Sequence, residues 1–297
     1  MLEQHTQKDI EKVSYEILKG SKSLDVFPTP INKIVEYAEL VVRSDIDVSQ
    51  VHEGYISKTT DALTRALSKL RGALDRKQRT IYLDLSQMKT KQGFVKLHEV
   101  GHDVLPWQKK IHTYLEDDDD SLGGHTNEEF EAEANFFASA TLFQQDRFID
   151  ELNKYSLSLD SSIQLSKQFG ASIHATLRRY VECSKNRCAL LVLENISAKG
   201  TVPKCNLRDK FQSAKFSATF GELVVPNEFG YTWDFVPPYY HGKKMKIDGS
   251  ITLTTENGEA DFNYHFFCNS YNAFVFLFPY GEKKSSRTKI IITDSVF

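Results

Sequence analysis

The stretch FVKLHEVGHDVLPWQ, residues 94–108, brings His98, Glu99 and His102 within five positions. On a helix, a spacing of four is just over one turn, so the two imidazoles share a face. Two imidazoles so placed can hold one Zn2+ at about 2.0–2.1 Å. Glu99 falls on a neighbouring flank, within reach of a water at such an ion, where a carboxylate can move protons. The chemistry implied by this HExxH spacing is metal-assisted hydrolysis. Chance alone places the motif in about one chain in a hundred at ordinary residue frequencies, so its flanks matter. Phe94, Val95, Leu97, Val100, Val104 and Leu105 predict a largely buried helix, not an exposed one that happens to carry histidines. Buried histidines and a buried glutamate need partners, and a metal would supply one. Gly101 leaves room for another backbone to approach.

A hydrolytic zinc site uses three protein ligands and an open position for water. The stretch EAEAN offers Glu131 and Asn135 at i and i+4 of a second helix, one to ligate and the other to brace a histidine. Glu133 and Glu129 compete with Glu131. Glu129 is better explained by a capping box with Thr126 at the N-cap. Glu133 points roughly 200° around the helix from Glu131, so both cannot face one ion. Glu131 is the expected third ligand, Asn135 the brace and Glu99 the catalytic base. His125, Tyr114 and Tyr82 come into question as a second oxyanion donor, but ordinary loop or strand roles explain each of them better.

These helices need a scaffold. Residues 5–20, the segment after VFPTP, and 60–70 have helical periodicity, and 79–85 is the first strand. The active-site helix is expected over about 91–105, ended by Pro106. Residues 161–182 predict helix, turn at Gly170, helix; His174, Thr176, Arg178 and Arg179 on the second helix could reach DNA, or simply pack with the arginines solvated. The Asp run at 117–120 is best read as a solvated loop. Beyond residue 195 the pattern becomes strand-rich, with a hairpin around Asn257-Gly258 and strands at 273–278 and 288–294. Phe262, Tyr264, Phe266, Phe274, Phe276 and Phe278 alternate and could line one face.

Composition narrows the class. The 297 residues are 40% hydrophobic and 26% charged with net charge −3, so nucleic-acid binding would require a local basic patch. No export signal and no membrane-length apolar run is seen. The four cysteines form no CxxC pair and are expected to be reduced thiols in a cytoplasmic protein.

HExxH followed by E-x-x-A-N-x-F-A on a second helix resembles the ImmA/IrrE family of metallopeptidases, within the gluzincin-like group. DVFPTPINKI, RGALDRKQRTIYLD and FGASIHATLRRYVECSKNRCALLVLE resemble flanking segments of that family, so the likeness covers about residues 20–195. One departure is TLFQQ, where the family has LLMP after the second helix; it touches the helix end and not the ligands. The resemblance implies a zinc-peptidase fold, a helix-turn-helix-like segment and site-specific cleavage of a DNA-bound repressor.

The resulting expectation is an α+β protein: a metallopeptidase domain over 1–148, a helical segment over 149–194, and a β-rich domain over 195–297 for sensing or substrate recognition. Its expected activity is that of a zinc endopeptidase with one ion, a site whose donors also accept Mn2+. The expected partner is a protein substrate, a transcriptional repressor, with no membrane; direct DNA binding is left open. The alternative is a non-catalytic regulatory or DNA-binding protein on a vestigial peptidase fold.

Overall fold

The computed structural model describes residues 2–43, 72–111, 124–198, 202–242, 246–269 and 271–282. The helix expected at 60–70, the Asp run at 117–120, Tyr114 and the strand expected at 288–294 lie outside them. The fold is α+β, and its chain divides into two compact units, Met1–Phe148 with Ser166–Ser172, and Ile149–Leu165 with Ile173–Phe297.

The first unit begins with α1 (Gln4–Gly20) and α2 (Ile31–Tyr37). A three-stranded sheet follows, built from β1 (Val41–Arg43), β2 (Gly72–Asp75) and β3 (Thr80–Leu83) in the order β1-β3-β2. Strand β3 is therefore central, parallel to β1 and antiparallel to β2. Two longer helices complete the unit: α3 (Lys89–Val104) and α4 (Gly124–Leu142). Both contribute fully buried apolar side chains, Val95, Leu97 and Val100 from α3 and Ala134, Phe137 and Ala138 from α4. Helix α4 is tied to α1 by a buried bond from Thr141 Oγ1 to Ser14 Oγ at 2.9 Å. Since α4 includes Gly124, Thr126 lies inside its first turn and is not the N-cap.

Helices α5 (Asp146–Leu152) and α6 (Leu159–Phe169) span the division in sequence. A positive φ of 70° at Gly170 follows, where a side chain would be strained, and then α7 (Ile173–Cys183).

The second unit is built on an antiparallel seven-stranded sheet of order β6-β8-β9-β10-β4-β5-β7. Its strands are β4 (Ala189–Ser197), β5 (Lys204–Gln212), β6 (Leu223–Val224), β7 (Glu228–Phe229), β8 (Lys246–Thr255), β9 (Gly258–Cys268) and β10 (Asn272–Pro279). The composition shift near residue 195 falls within β4, whose residues 189–194 pair with β10 and β5. What changes there is the type of secondary structure, not the packing unit. The β8–β9 hairpin turns at Glu256-Asn257, one residue earlier than expected, with Gly258 at φ 118° paired to Thr255.

The aromatic alternation of β9 and β10 serves two faces, not one. Across the strands Phe262, Tyr264 and Phe266 oppose Pro279, Leu277 and Val275, whereas Phe274 and Phe276 oppose Phe267 and His265. Directly opposed residues share a face, so the two aromatic rows point in opposite directions. The first row packs with Phe216 of α8 (Ala214–Phe220) and Val236 and Tyr239 of α9 (Val236–His241). The second meets α7, with Tyr180 edge-on to Phe276 at 5.6 Å and His174 at 6.0 Å from Phe274. Helix α7 is thus a packing helix: Thr176 is fully buried, and Arg178 pairs with Glu182 and lies over Phe211. Among the described residues, no helix is long and apolar enough to cross a membrane.

Candidate metal centre

Helix α3 buries one side and aims its histidines along another. Its far end is fixed by Asp103, which accepts from Arg79 Nη1 at 2.5 Å, while Arg79 Nη2 also donates to the Ala38 carbonyl. The helix ends at Leu105, whose extended backbone redirects the chain, and Pro106 then opens a helical segment over 106–111. Proline suits that first helical position because its missing N–H would have had no helical partner there.

Gly101 sets how closely α4 approaches. A Cβ at this glycine would stand 3.0 Å from Phe137 Cδ1 and 3.3 Å from Ala134 Cα. With the helices this close, Glu131, one turn before Ala134, reaches the two histidines. His98 Nε2 and His102 Nε2 are 3.0 Å apart, and each lies 3.4 Å from a different oxygen of Glu131. His98, His102 and Glu131 form a group able to hold a metal ion. Two ligands about 2.05 Å from a tetrahedral Zn2+ are roughly 3.3 Å apart, close to the 3.0 Å between the two nitrogens and the 3.4 Å from each nitrogen to its own Glu131 oxygen. Two imidazole nitrogens facing each other at 3.0 Å cannot both present bare lone pairs, so a proton or a metal ion lies between them, and the Glu131 carboxylate beside both suits a divalent ion. The residues fit a metal.

Glu99 is 5% exposed beside this triangle. Burial pushes its carboxyl pKa up; His102 and His98 pull it back only in part. A Cβ at Gly72 would lie 2.3 Å from Val95 Cγ1 and 3.3 Å from Glu99 Oε1, so β2 passes Glu99 at a point where only glycine fits. Without an ion, burial would lower the His102 pKa, but the carboxylates of Glu131 and Glu99 outweigh it and the shift is upward. Burial likewise opposes ionisation of Glu131, and His102 and His98 more than reverse this, holding it well below the usual carboxylate range.

The rival Glu133 lies off the metal face, as its place round the helix predicts, whereas Asn135 does not meet the histidines. Glu133 faces away from the triangle and accepts from Trp107 Nε1 and Gln108 Nε2, each at 2.7 Å. Gln108 Oε1 is 2.8 Å from His102 Nδ1. Asn135 is half-buried; among the described residues it bonds to neither histidine, and the buried Nδ1 of His98 has no partner. Tyr82 Oη donates to Gln78 Oε1 at 3.2 Å in an exposed turn, an ordinary bond. Sequence reading missed Gly72, Trp107, Gln108 and Glu133. The only signal available was the Pro-Trp-Gln run after the motif, which places an amide just beyond the expected end of the helix.

Comparison with known families adds an independent finding. Residues 57–180 match the model of the IrrE N-terminal-like domain. This part of the chain is similar to IrrE N-terminal-like domains. The IrrE-like match contains all of the HExxH and ExxAN elements and stops short of the seven-stranded sheet. No curated protein matches the sequence. Among solved structures, a Mycobacterium tuberculosis transcriptional regulator is similar with a TM-score of 0.52 and 11% identity, covering 91% of this chain and 75% of that one. At that identity the likeness is one of fold, and it extends past the IrrE-like domain into the sheet unit.

Proposed function

We propose that the chain is a zinc-dependent endopeptidase acting on a specific regulatory protein in the cytoplasm. The observation that carries this reading is the His98–His102–Glu131 triangle with Glu99 buried beside it. His98 Nε2, His102 Nε2 and a Glu131 oxygen would hold the ion. Two nitrogens and a carboxylate oxygen suit Zn2+, and Mn2+ is the second choice for this donor set. When bound, such an ion polarises a carbonyl and makes water more acidic.

The remaining chemistry belongs to Glu99. It takes a proton from the attacking water as the water oxygen bonds to the peptide carbonyl carbon. As the C–N bond breaks, the same carboxyl hands that proton to the departing nitrogen. Gly72 keeps β2 close, and this bears on substrate binding. An extended substrate would pair with a free strand edge. Strand β3, which precedes the active-site helix, has both edges occupied by β1 and β2, whereas among the described residues β2 has one open edge. The substrate class, a transcriptional repressor, follows from the ImmA/IrrE resemblance; the fold neighbour is itself named a transcriptional regulator. That same name favours the second reading, a regulator on a vestigial peptidase fold. The intact ligand set and Glu99 weigh against it.

The test is cleavage of a proteome-derived peptide library by the zinc-loaded full chain, with new termini identified by mass spectrometry. New termini are expected with the wild type and none with Glu99→Gln at equal zinc content. Equal cleavage by both proteins, or none by either, contradicts the reading.

A further inference from the structure

His102 and His98 are not held alike. Gln108 is fully buried and spans the gap between α3 and α4. Its Nε2 lies 2.7 Å from Glu133 Oε2 and 3.1 Å from the Phe130 carbonyl. Both of those groups are acceptors, so the amide NH2 must face them and the amide oxygen must face the other way. That oxygen is 2.8 Å from His102 Nδ1. A carbonyl oxygen only accepts, so Nδ1 carries the hydrogen. In the neutral ring Nε2 is then the nitrogen with the free lone pair, and it is the one directed at Glu131 and His98.

Glu133 is in turn held by Trp107, whose indole N–H can only donate and lies 2.7 Å from the same carboxylate oxygen. The chain Trp107–Glu133–Gln108–His102 thus admits one amide orientation and one tautomer. We propose that Gln108, oriented by Glu133, is a positioning residue that fixes His102 with its hydrogen on Nδ1 and its lone pair on the metal side. The break at Leu105 and the turn opened by Pro106 make this possible, because they bring a side chain six positions after His102 back to its ring. This inference rests on the metal-site reading. It departs from the expected Asn135 brace in the residue that does the bracing.

The test uses the full chain and three variants. Gln108→Met keeps the length and removes all three hydrogen bonds. Glu133→Gln leaves the shape but allows the amide of Gln108 to turn over. The exchange Gln108→Glu with Glu133→Gln rebuilds the chain in reverse, since the new carboxylate can accept from both His102 Nδ1 and the new amide. Zn2+ affinity is read by competition with a chromophoric chelator, and the His102 tautomer by 15N NMR of metal-free protein above the imidazole titration. Gln108→Met is expected to weaken zinc binding by about 10–100-fold, the usual loss when the partner of a ligating histidine is removed. Its His102 should become a mixture of tautomers, Glu133→Gln should show a smaller change of the same kind, and the exchange should restore both readouts. Unchanged affinity and tautomer in Gln108→Met overturn the proposal; if that variant does not fold, unchanged values in Glu133→Gln do so. Folded variants that lose affinity but keep the Nδ1–H tautomer show a merely structural role and also overturn it. A wild type that binds no zinc contradicts the metal site itself, while a single Nδ1–H tautomer in that protein would still bear out the positioning role.

Discussion

The helical unit and the sheet unit spend their buried side chains differently. In the first, burial serves chemistry. Close approach at Gly101 and Gly72 gathers His98, His102, Glu131 and Glu99 into one polar cluster inside an apolar surround. In the second, the aromatic rows of the sheet go into packing: one row of β9 packs on α8 and α9, and the opposite row of β10 packs on α7. Among the described residues no cluster of three or more metal-ligating side chains lies in the sheet unit. The contrast teaches that a catalytic motif is written in spacing along helices, whereas the purpose of a sheet is not written in its alternation.

The sharpest way to break the comparison is to cut the chain after Glu194. If the sheet were independent of the sequence before it, a soluble fragment would result. Strand β4 would instead lose its partners β10 and β5 and expose Ala189–Leu193, each fully buried in the intact chain. Such an unpaired apolar strand is an aggregation site, and sedimentation should find the fragment almost wholly insoluble. A soluble, folded fragment would refute the two-unit division.

Next in size are Phe262→Ala and Phe276→Ala, one on each face of the sheet. Both side chains are fully buried, and each loss should cost about 3–5 kcal/mol in denaturant unfolding. Zinc stoichiometry in the folded fraction should stay at the wild-type value. A cost confined to one variant would show that only one face is core. In the helical unit the glycines should separate the two halves of the site. Gly101→Ala pushes on Phe137 and the backbone at Ala134, and Gly72→Ala pushes on Val95 and Glu99. Overpacking of this kind costs about 1–3 kcal/mol. Gly101→Ala is expected to weaken zinc binding through Glu131. Gly72→Ala is expected to slow cleavage with zinc binding unchanged, and the opposite pattern would mean that the glycines have been assigned to the wrong groups.

Much of the helical unit was legible because a helix has one period. The sequence spacing was enough to put His98 and His102 on one face and to choose Glu131 over Glu133. Strand order was not legible: β1, nearly forty residues before β3, pairs beside it and leaves it central in its sheet. Register was not legible either. Alternation tells which residues of β9 share a face, but only pairing with β10 shows that Phe274 and Phe276 face the other way. The brace on His102 escaped for a similar reason. It joins residues 102, 108 and 133 through an amide whose orientation depends on what lies on its far side.

The smallest effect concerns Cys188, whose thiol burial pushes up to about 12. A thiol raised on folding stabilises fully below its unfolded pKa, and that contribution is lost as pH rises through the folded value. Native-state labelling at pH 8 should therefore modify the half-buried Cys183 first and leave Cys188 unreacted. Equal rates would mean that the sheet unit opens readily.

The central claim, that three side chains from two helices form one metal site, is tested most directly by zinc titration of metal-free full-length protein against a chelator. One ion per chain is expected for the wild type and for Glu99→Gln, with binding lost in Glu131→Ala, His98→Ala and His102→Ala. A Glu131→Ala protein that binds zinc as tightly as the wild type would contradict the account.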